Sequence, residues 1–215
     1  MTPQVKLLGI SGSPVSGGNV ETVLTEVLRS QEGRAGVIHE TIMLANHEIS
    51  DCRQCNWCLK KQNENKRCSI EDDMDNVYPA LEEADALIMA TPVYFGRLSG
   101  HLACFIDRLR IYVHGNVTGG RMRNKVGGSI AVGWFRLGGL ETALLSINQF
   151  FHGVDMVIAA PEAGLHGGSV LSSLEGAGRR DGVDRLLALR DGMGMASALS
   201  TVERAVELTR IIKAG

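Results

Sequence analysis

The sequence predicts an α/β protein built on a mostly parallel sheet with helices on both faces. Three observations carry this prediction. Five short apolar runs recur along the 215 residues, segments with helical apolar spacing separate them, and glycine-rich stretches follow several of the runs. Buried parallel strands read as short apolar runs, and the crossovers between them need helices. Right-handed crossovers then leave few arrangements.

Residues 5–10 form the first run, which Gly, Ser and Pro break before Val20, Val23, Leu24, Val27 and Leu28 return at helical spacing. Residues 36–44 alternate loosely as a second strand, with a cysteine-rich segment directly after it. Ser69 is placed to cap a helix with Asp72 at its third position and Met74, Val77, Tyr78 and Leu81 on one stripe. Residues 86–90 form the third strand, ended by Thr91 and Pro92. Residues 98–112 read as one long helix, with Leu102, Phe105, Ile106 and Leu109 facing inward. The fourth strand is 126–133, and Gly138 and Gly139 precede a helix carrying Leu140, Leu144, Ile147 and Phe151. The fifth strand is 156–160, a glycine-rich loop follows, and a helix starting near Asp191 closes the chain.

The length suits a single domain over 1–215, with insertions expected at about 50–69 and about 161–190. The start lacks a basic, apolar leader, and no stretch supplies the roughly 20 apolar residues of a membrane span. A cytoplasmic protein with no membrane partner is expected. A net charge of −2 argues against a nucleic-acid partner, which would want a basic face. Five cysteines, an odd number, suit a reducing compartment better than a disulfide framework.

Ligands of such sheets bind beyond the carboxyl ends of the strands, where strand order reverses. That rule selects three loops. In the first, residues 11–19, the amides and the hydroxyls of Ser11, Ser13 and Ser16 can meet phosphate oxygens, Asn19 can cap the helix, and Gly18 and Val20 flank it. The loop is neither a nucleoside-triphosphate loop nor GxGxxG, and an ordinary strand-to-helix turn is the alternative. The second loop offers Pro92, Val93, Tyr94, Phe95 and Gly96, suited to bordering a planar heteroaromatic ring or, alternatively, to the core or a subunit contact. Gly133, Trp134, Phe135 and Gly138 raise the same two readings in the third. Arg121, Arg123 and Lys125 form a charged turn that either attracts a nucleotide phosphate or is merely solvated. The histidines show no metal-ligand spacing with one another.

Four of the five cysteines, Cys52, Cys55, Cys58 and Cys68, fall within 17 residues. CxxCxxC spacing wraps a compact inorganic core and is similar to ferredoxin cluster runs. Zinc, a redox dithiol and four thiols without metal are the alternatives. Arg53, Lys60, Lys61, Lys66 and Arg67 lie near in sequence and would offset an anionic cluster. Cys104 reads as a small core residue.

GISGSPVSGGNVETVL, the CxxCxxC segment, DDM at 72–74, ADALIMATPVYFGRLSG and FIDR at 105–108 together resemble the iron-sulfur flavoprotein branch of the NADPH-dependent FMN reductase family. The resemblance runs from residue 7 to about 151, and residues 161–192 carry none of it. It implies a flavodoxin-like three-layer sandwich with a five-stranded parallel sheet in the order 2-1-3-4-5. It further implies an FMN phosphate at Ser11, Ser13, Gly18, Asn19 and Val20, and an isoalloxazine bordered by residues 92–96 and flanked by 133–138. A [4Fe-4S] cluster on the four cysteines, NAD(P)H as co-substrate, and a homodimer or homotetramer closing the flavin site complete the expectation. The chemistry would then rest on the flavin, with no catalytic side chain, and electrons would pass to a small-molecule acceptor or a redox protein. A cluster-free reductase of flavins, quinones, nitro compounds or metals, and a non-catalytic FMN electron carrier, are the competing readings.

Overall fold

The computed structural model describes residues 3–162 and 164–215. β1 (Val5–Ser11) leads into α1 (Asn19–Arg29), and β2 (Val37–Met43) follows. A long arm containing the single turn α2 (Trp57–Lys60) reaches α3 (Met74–Glu83) and β3 (Ala86–Pro92). Next come α4 (Gly100–Arg108), α5 (Ile111–His114), β4 (Val126–Gly133) and α6 (Leu140–Gly153). β5 (Val157–Ile158), β6 (Gly168–Leu171) and α7 (Gly192–Ala214) complete the chain.

The sheet is parallel, in the order β2-β1-β3-β4-β5, as the resemblance implies. Its fifth position is filled in two pieces. β5 pairs with Val126 and Gly127, and β6 pairs with β4 from Ile130 to Gly133. The strand expected at 156–160 is therefore two residues long, and a further strand stands inside the stretch expected to be loop. The return is held where Ser129 Oγ and Asn148 Nδ2 both donate to the His166 carbonyl, at 2.8 and 2.7 Å. Gly167 makes that approach feasible: a Cβ there would stand 2.2 Å from the Ser129 carbonyl oxygen.

Alternation along the strands divides the core. Leu8, Ile10, Leu87 and Met89 belong to the layer under α3, α4 and α6, whereas Val5, Leu7, Ile88 and Ala90 belong to the layer under α1 and α7. Each fully buried Val, Leu, Ile or Met side chain among these contributes about 1.5–3 kcal/mol.

Three local expectations are corrected. The helix expected over 98–112 breaks into α4 and α5, because Leu109 and Arg110 bond back three residues, to Ile106 and Asp107, and tighten the chain. Ser69 does not cap α3, which starts at Met74 after Asp73 without a side-chain cap. Asn19 is the first residue of α1, whose cap is Gly18, rather than the capping residue. The helix expected near Asp191 is present as α7, with the Asp191 carboxylate accepting from the Gly194 amide at 3.1 Å. Among the described residues no helix is long and apolar enough to cross a membrane.

Candidate functional site

β1 and β3 are neighbours at the point where strand order reverses, so the loops leaving β1, β3 and β4 share one edge of the sheet. Ser99 Oγ donates to the Gly12 carbonyl at 2.5 Å and accepts from the Leu102 amide, tying the first loop to the cap of α4. A Cβ on Gly12 would stand 2.6 Å from that of Leu102, so the loop needs glycine to lie so close. The second and third loops touch through backbone alone, since a Cβ on Gly139 would meet Gly96 Cα at 2.4 Å.

In the first loop, Ser13 Oγ accepts from the Val15 amide at 3.0 Å and donates to its carbonyl, fixing a tight turn. Ser16 Oγ donates to Asn46, and the Gly17 amide donates to Glu21 at the head of α1. Asn19 spends its side chain elsewhere: Nδ2 donates to the Arg185 carbonyl and Oδ1 accepts from the Ala188 amide. What remains for an anion is main chain. Among the described residues, the amides of Ser16, Gly18, Asn19 and Val20 have no acceptor, and no side chain caps α1. Unsatisfied amides at a helix head, with the positive end of its dipole, suit a phosphate. Gly17, at φ +65°, has open space where a Cβ would be, so the loop leaves room there.

The second loop is a tight turn in which Tyr94 and Arg97 exchange main-chain hydrogen bonds, with Phe95 and Gly96 left-handed at φ 49° and 76°. The Val93 amide is tied to the Val132 carbonyl. Tyr94 and Phe135 are about half exposed, and Phe95 and Leu137 are fully so, at 107% and 97%. The rim of this edge is apolar and uncovered. An FMN ring and phosphate fit such a place: aromatic side chains at the ring loops, and free amides at an uncapped helix head on the same edge.

The cysteine arm leaves the sheet after β2. Its base is fastened by a buried ion pair, Arg108 Nη1 to Asp72 Oδ2 at 2.5 Å, with side chains 1% and 7% exposed. Arg108 also donates to the Ser50 carbonyl, and the Ser50 amide donates to Asp72. The DDM and FIDR motifs therefore meet as a brace. Burial would raise the Asp72 carboxyl, but bonds from Arg108, Ser50 and Met74 hold it below the usual carboxylate range.

All five cysteines are free, with Cys58 buried, Cys55 exposed and the rest half-buried. Burial pushes the Cys58 thiol up, Arg110 pulls it down, and Cys68 and Cys52 push it up again, so these three thiols share one electrostatic neighbourhood. Cys55 Sγ lies 3.2 Å from Ser69 Oγ, beside Cys68; that bond is the main reason its thiol titrates below the ordinary value. Gln54 and Asn56, on either side of Cys55, are left-handed at φ 48° and 59°, turning the chain sharply around Cys55. Among the described residues no three metal-ligating side chains are drawn close enough to hold an ion as they stand. The donor set itself, four thiols on one arm, suits a thiolate-held group.

Several sequence expectations change here. Lys66 and Arg67 are spent on Glu71 and Glu82, while Arg110, anchored by two 3.3 Å bonds to Asn56, is a cation that acts on Cys55 and Cys58. Its signal was the second arginine of FIDRLR. Cys104 is half-buried rather than core, donating to Asp51 at 2.6 Å beside Cys52. Burial, followed by Asp51, pushes its thiol up to about 11. Arg121, Arg123 and Lys125 precede β4, at the opposite end of that strand from the candidate edge. Arg121 pairs with Glu64 and Glu82, Arg123 with Asp155, and Lys125 donates to three carbonyls that end α3. A hollow of about 760 Å³ lies over α7 among paired charges such as Arg34–Glu203 and Arg204–Glu207, away from all these groups.

Residues 5–169 match the family described as NADPH-dependent FMN reductase. An iron-sulfur flavoprotein of Methanocaldococcus jannaschii is 35% identical over 214 residues, covering 97% of this chain and all of that protein. Among solved structures, RosB with bound 8-demethyl-8-formylriboflavin-5'-phosphate superposes with a TM-score of 0.72 at 16% identity, over 98% of this chain and 81% of that one. The flavodoxin, WrbA-like protein of Agrobacterium tumefaciens does so at 0.57 and 12% identity, over 98% of each chain. At such identities these two speak for the flavodoxin-like fold. With the family match over most of its length and a full-length relative at 35% identity, the chain belongs to the NADPH-dependent FMN reductase family, in its iron-sulfur flavoprotein branch.

Proposed function

We propose that this FMN-dependent oxidoreductase takes electrons from NAD(P)H or a protein donor and couples its flavin to a [4Fe-4S] cluster, the whole chain 1–215 forming one FMN-binding domain. The observation that carries the reading is the meeting of three loops at the strand-order reversal, above a helix head whose amides are unsatisfied. Ser11, Ser13, Ser16, Gly18, Asn19 and Val20 would surround the phosphate, with main-chain amides as the donors left free. Pro92, Val93, Tyr94, Phe95, Gly96, Gly133, Trp134, Phe135 and Gly138 would border the ring. Bound FMN supplies hydride acceptance and one- or two-electron release, so the protein's share is binding, orientation and exclusion of water. No side chain at this edge is assigned a proton-transfer role.

Cys52, Cys55, Cys58 and Cys68 would hold the cluster, with Arg110 a cation close enough to act on Cys58. The name of the M. jannaschii relative supports this, as does the placing of all four cysteines on one arm braced at its base. The exposed Phe95, Leu137, Tyr94 and Phe135 support a homodimer or homotetramer in which a neighbouring chain covers the flavin edge.

Anaerobic purification with a visible spectrum, flavin extraction and iron and sulfide assays on one sample tests the whole reading. FMN at one per chain with broad brown absorption is expected. Yellow protein with flavin bands alone would leave a cluster-free reductase. Flavin that NAD(P)H and protein donors fail to reduce catalytically would leave an electron carrier. A colourless protein that does not bind added FMN would sink the proposal.

A further inference from the structure

Two buried polar atoms at the base of the cysteine arm have no hydrogen-bond partner among the described residues: the Tyr78 hydroxyl and Arg108 Nε. Tyr78 is 0% exposed and Arg108 1%, so bulk water reaches neither. Such orphans are uncommon, because a buried donor left unpaired forfeits its desolvation cost. The groups around them are used. The Arg108 fork is spent on Asp72 and the Ser50 carbonyl. The Tyr112 ring, edge-on to Tyr78 at 6.3 Å, carries a hydroxyl that reaches the Tyr78 carbonyl and Glu82.

Both orphans stand near one thiol. Tyr78 belongs to the inward stripe of α3, and Cys68 packs from the arm against the core layer that holds Tyr78. Cys68 acts electrostatically on both Tyr78 and Arg108, and these two act on each other. Cys68 Sγ meets one donor, the Ile70 amide at 3.5 Å. A thiol sulfur is a weak acceptor, whereas a metal-bound thiolate takes charge-assisted bonds from several donors. Two buried donors beside one cysteine therefore suit that cysteine as a thiolate.

We propose, on the reading that the four cysteines hold a cluster, that Tyr78 is a positioning residue whose hydroxyl donates to the Cys68 thiolate and tunes the cluster's potential. A phenol keeps its proton at neutral pH and so remains a donor. Hydrogen bonds to sulfur are among the determinants of cluster potentials. The reduced cluster carries one more negative charge than the oxidised one, so a donor to its thiolate favours the reduced form and raises the potential.

The test compares the parent, Tyr78→Phe and Tyr112→Phe, purified anaerobically with FMN, iron and sulfide assayed on each. Dithionite titration with EPR detection gives the cluster potential, and denaturant unfolding checks the fold. Y112F is the control, because it removes a buried hydroxyl that already has partners within the protein. Y78F should keep FMN and fold, with cluster reduction about two- to tenfold disfavoured, a potential about 20–60 mV lower. The Y112F cluster and the flavin of both variants should match the parent. An unchanged potential in Y78F with iron and sulfide retained overturns the assignment, since a hydroxyl that is only an orphan of the core, or meets a buried water, gives that result. Equal shifts in Y78F and Y112F overturn it as well, because they report packing rather than a bond. Should Y78F lose its iron, Y94F/Y112F decides, in which Tyr78 is the last of three tyrosines. Ring-deuterated tyrosine there should give a deuteron coupling to the reduced cluster in pulsed EPR, and its absence overturns the assignment. A parent that holds FMN but takes up no iron and sulfide on anaerobic reconstitution overturns the cluster reading, and the assignment with it.

Discussion

At the carboxyl edge of the sheet, the groups left for a ligand are main-chain amides held between β1, β3 and β4, whereas the cysteine arm offers side-chain sulfurs on a stretch with one helical turn of its own. The edge is shaped before any ligand arrives, because strand pairing and glycine contacts such as Gly96 against Gly139 fix it. The arm is fastened at its base by Asp72 and Arg108 and leaves its thiols uncontracted. One centre is a property of the fold and the other a property of a braced insertion, so substitutions should separate them.

The sharpest separation is chemical. Cys58→Ala removes the buried thiol that shares surroundings with Cys52 and Cys68, and we expect loss of essentially all iron with FMN content unchanged, measured on one anaerobic sample. Full iron retention would remove Cys58 from the ligand set. Equal loss of FMN would show that the two centres are not independent.

Next is the brace. Arg108→Ala leaves the Asp72 carboxylate buried without its cation, and breaking such a pair costs roughly 3–5 kcal/mol. Denaturant unfolding should show this, with iron retention falling before FMN retention. Acid probes the same contact. The Asp72 carboxyl is held below its ordinary value. So is Glu82, whose burial acts upward but is outweighed by hydrogen bonds from Arg67 and Arg121. Both groups bind fewer protons folded than unfolded across the window between the lowered folded value and the unfolded value near ~4. Their stabilisation is complete above that unfolded value and fades as pH falls through the folded one. Asp72→Asn should flatten the acid limb of stability against pH, and an unchanged slope would show that other carboxylates carry it.

How much of this was legible follows from the same division. The strands, the three loops and the layers could be read because apolar periodicity and glycine placement are local signals that the sheet obeys, whereas the strand order came from the family resemblance. The split fifth strand could not, because it depends on Asn148 and Ser129 meeting the His166 carbonyl across long sequence separations. Asn19 looked like a cap from its neighbours, yet its side chain is bound to a strap 166 residues away. Arg110 was hidden inside an apparently continuous helix until the break at Leu109 turned it toward Asn56. Gly96 and the doubled glycine before α6 were each readable as loop glycines, but their contact with one another was not.

That glycine pair sets the next effect. Gly139→Ala puts a Cβ against Gly96 at a residue with φ +99°, where strain of about 1–3 kcal/mol is expected. If the ring lies between these loops, FMN affinity should fall about tenfold with iron content spared. Iron loss accompanying a modest FMN loss would argue that the edge and the arm are mechanically coupled.

The smallest effect tests whether the first loop acts through side chains or through the shape they impose. Ser13→Ala deletes the hydroxyl that accepts from the Val15 amide and donates to its carbonyl, a net loss of about 0.5–1.5 kcal/mol if nothing replaces it. Because that hydroxyl is already engaged, its removal should disturb the turn presenting the free amides rather than delete a phosphate donor. FMN affinity should then drop by roughly two- to tenfold while riboflavin, which has no phosphate, is unaffected. Equal weakening of both ligands would mean that the turn supports the whole edge. No change in either would place the phosphate contacts on the amides at the head of α1, independent of the Ser13 turn.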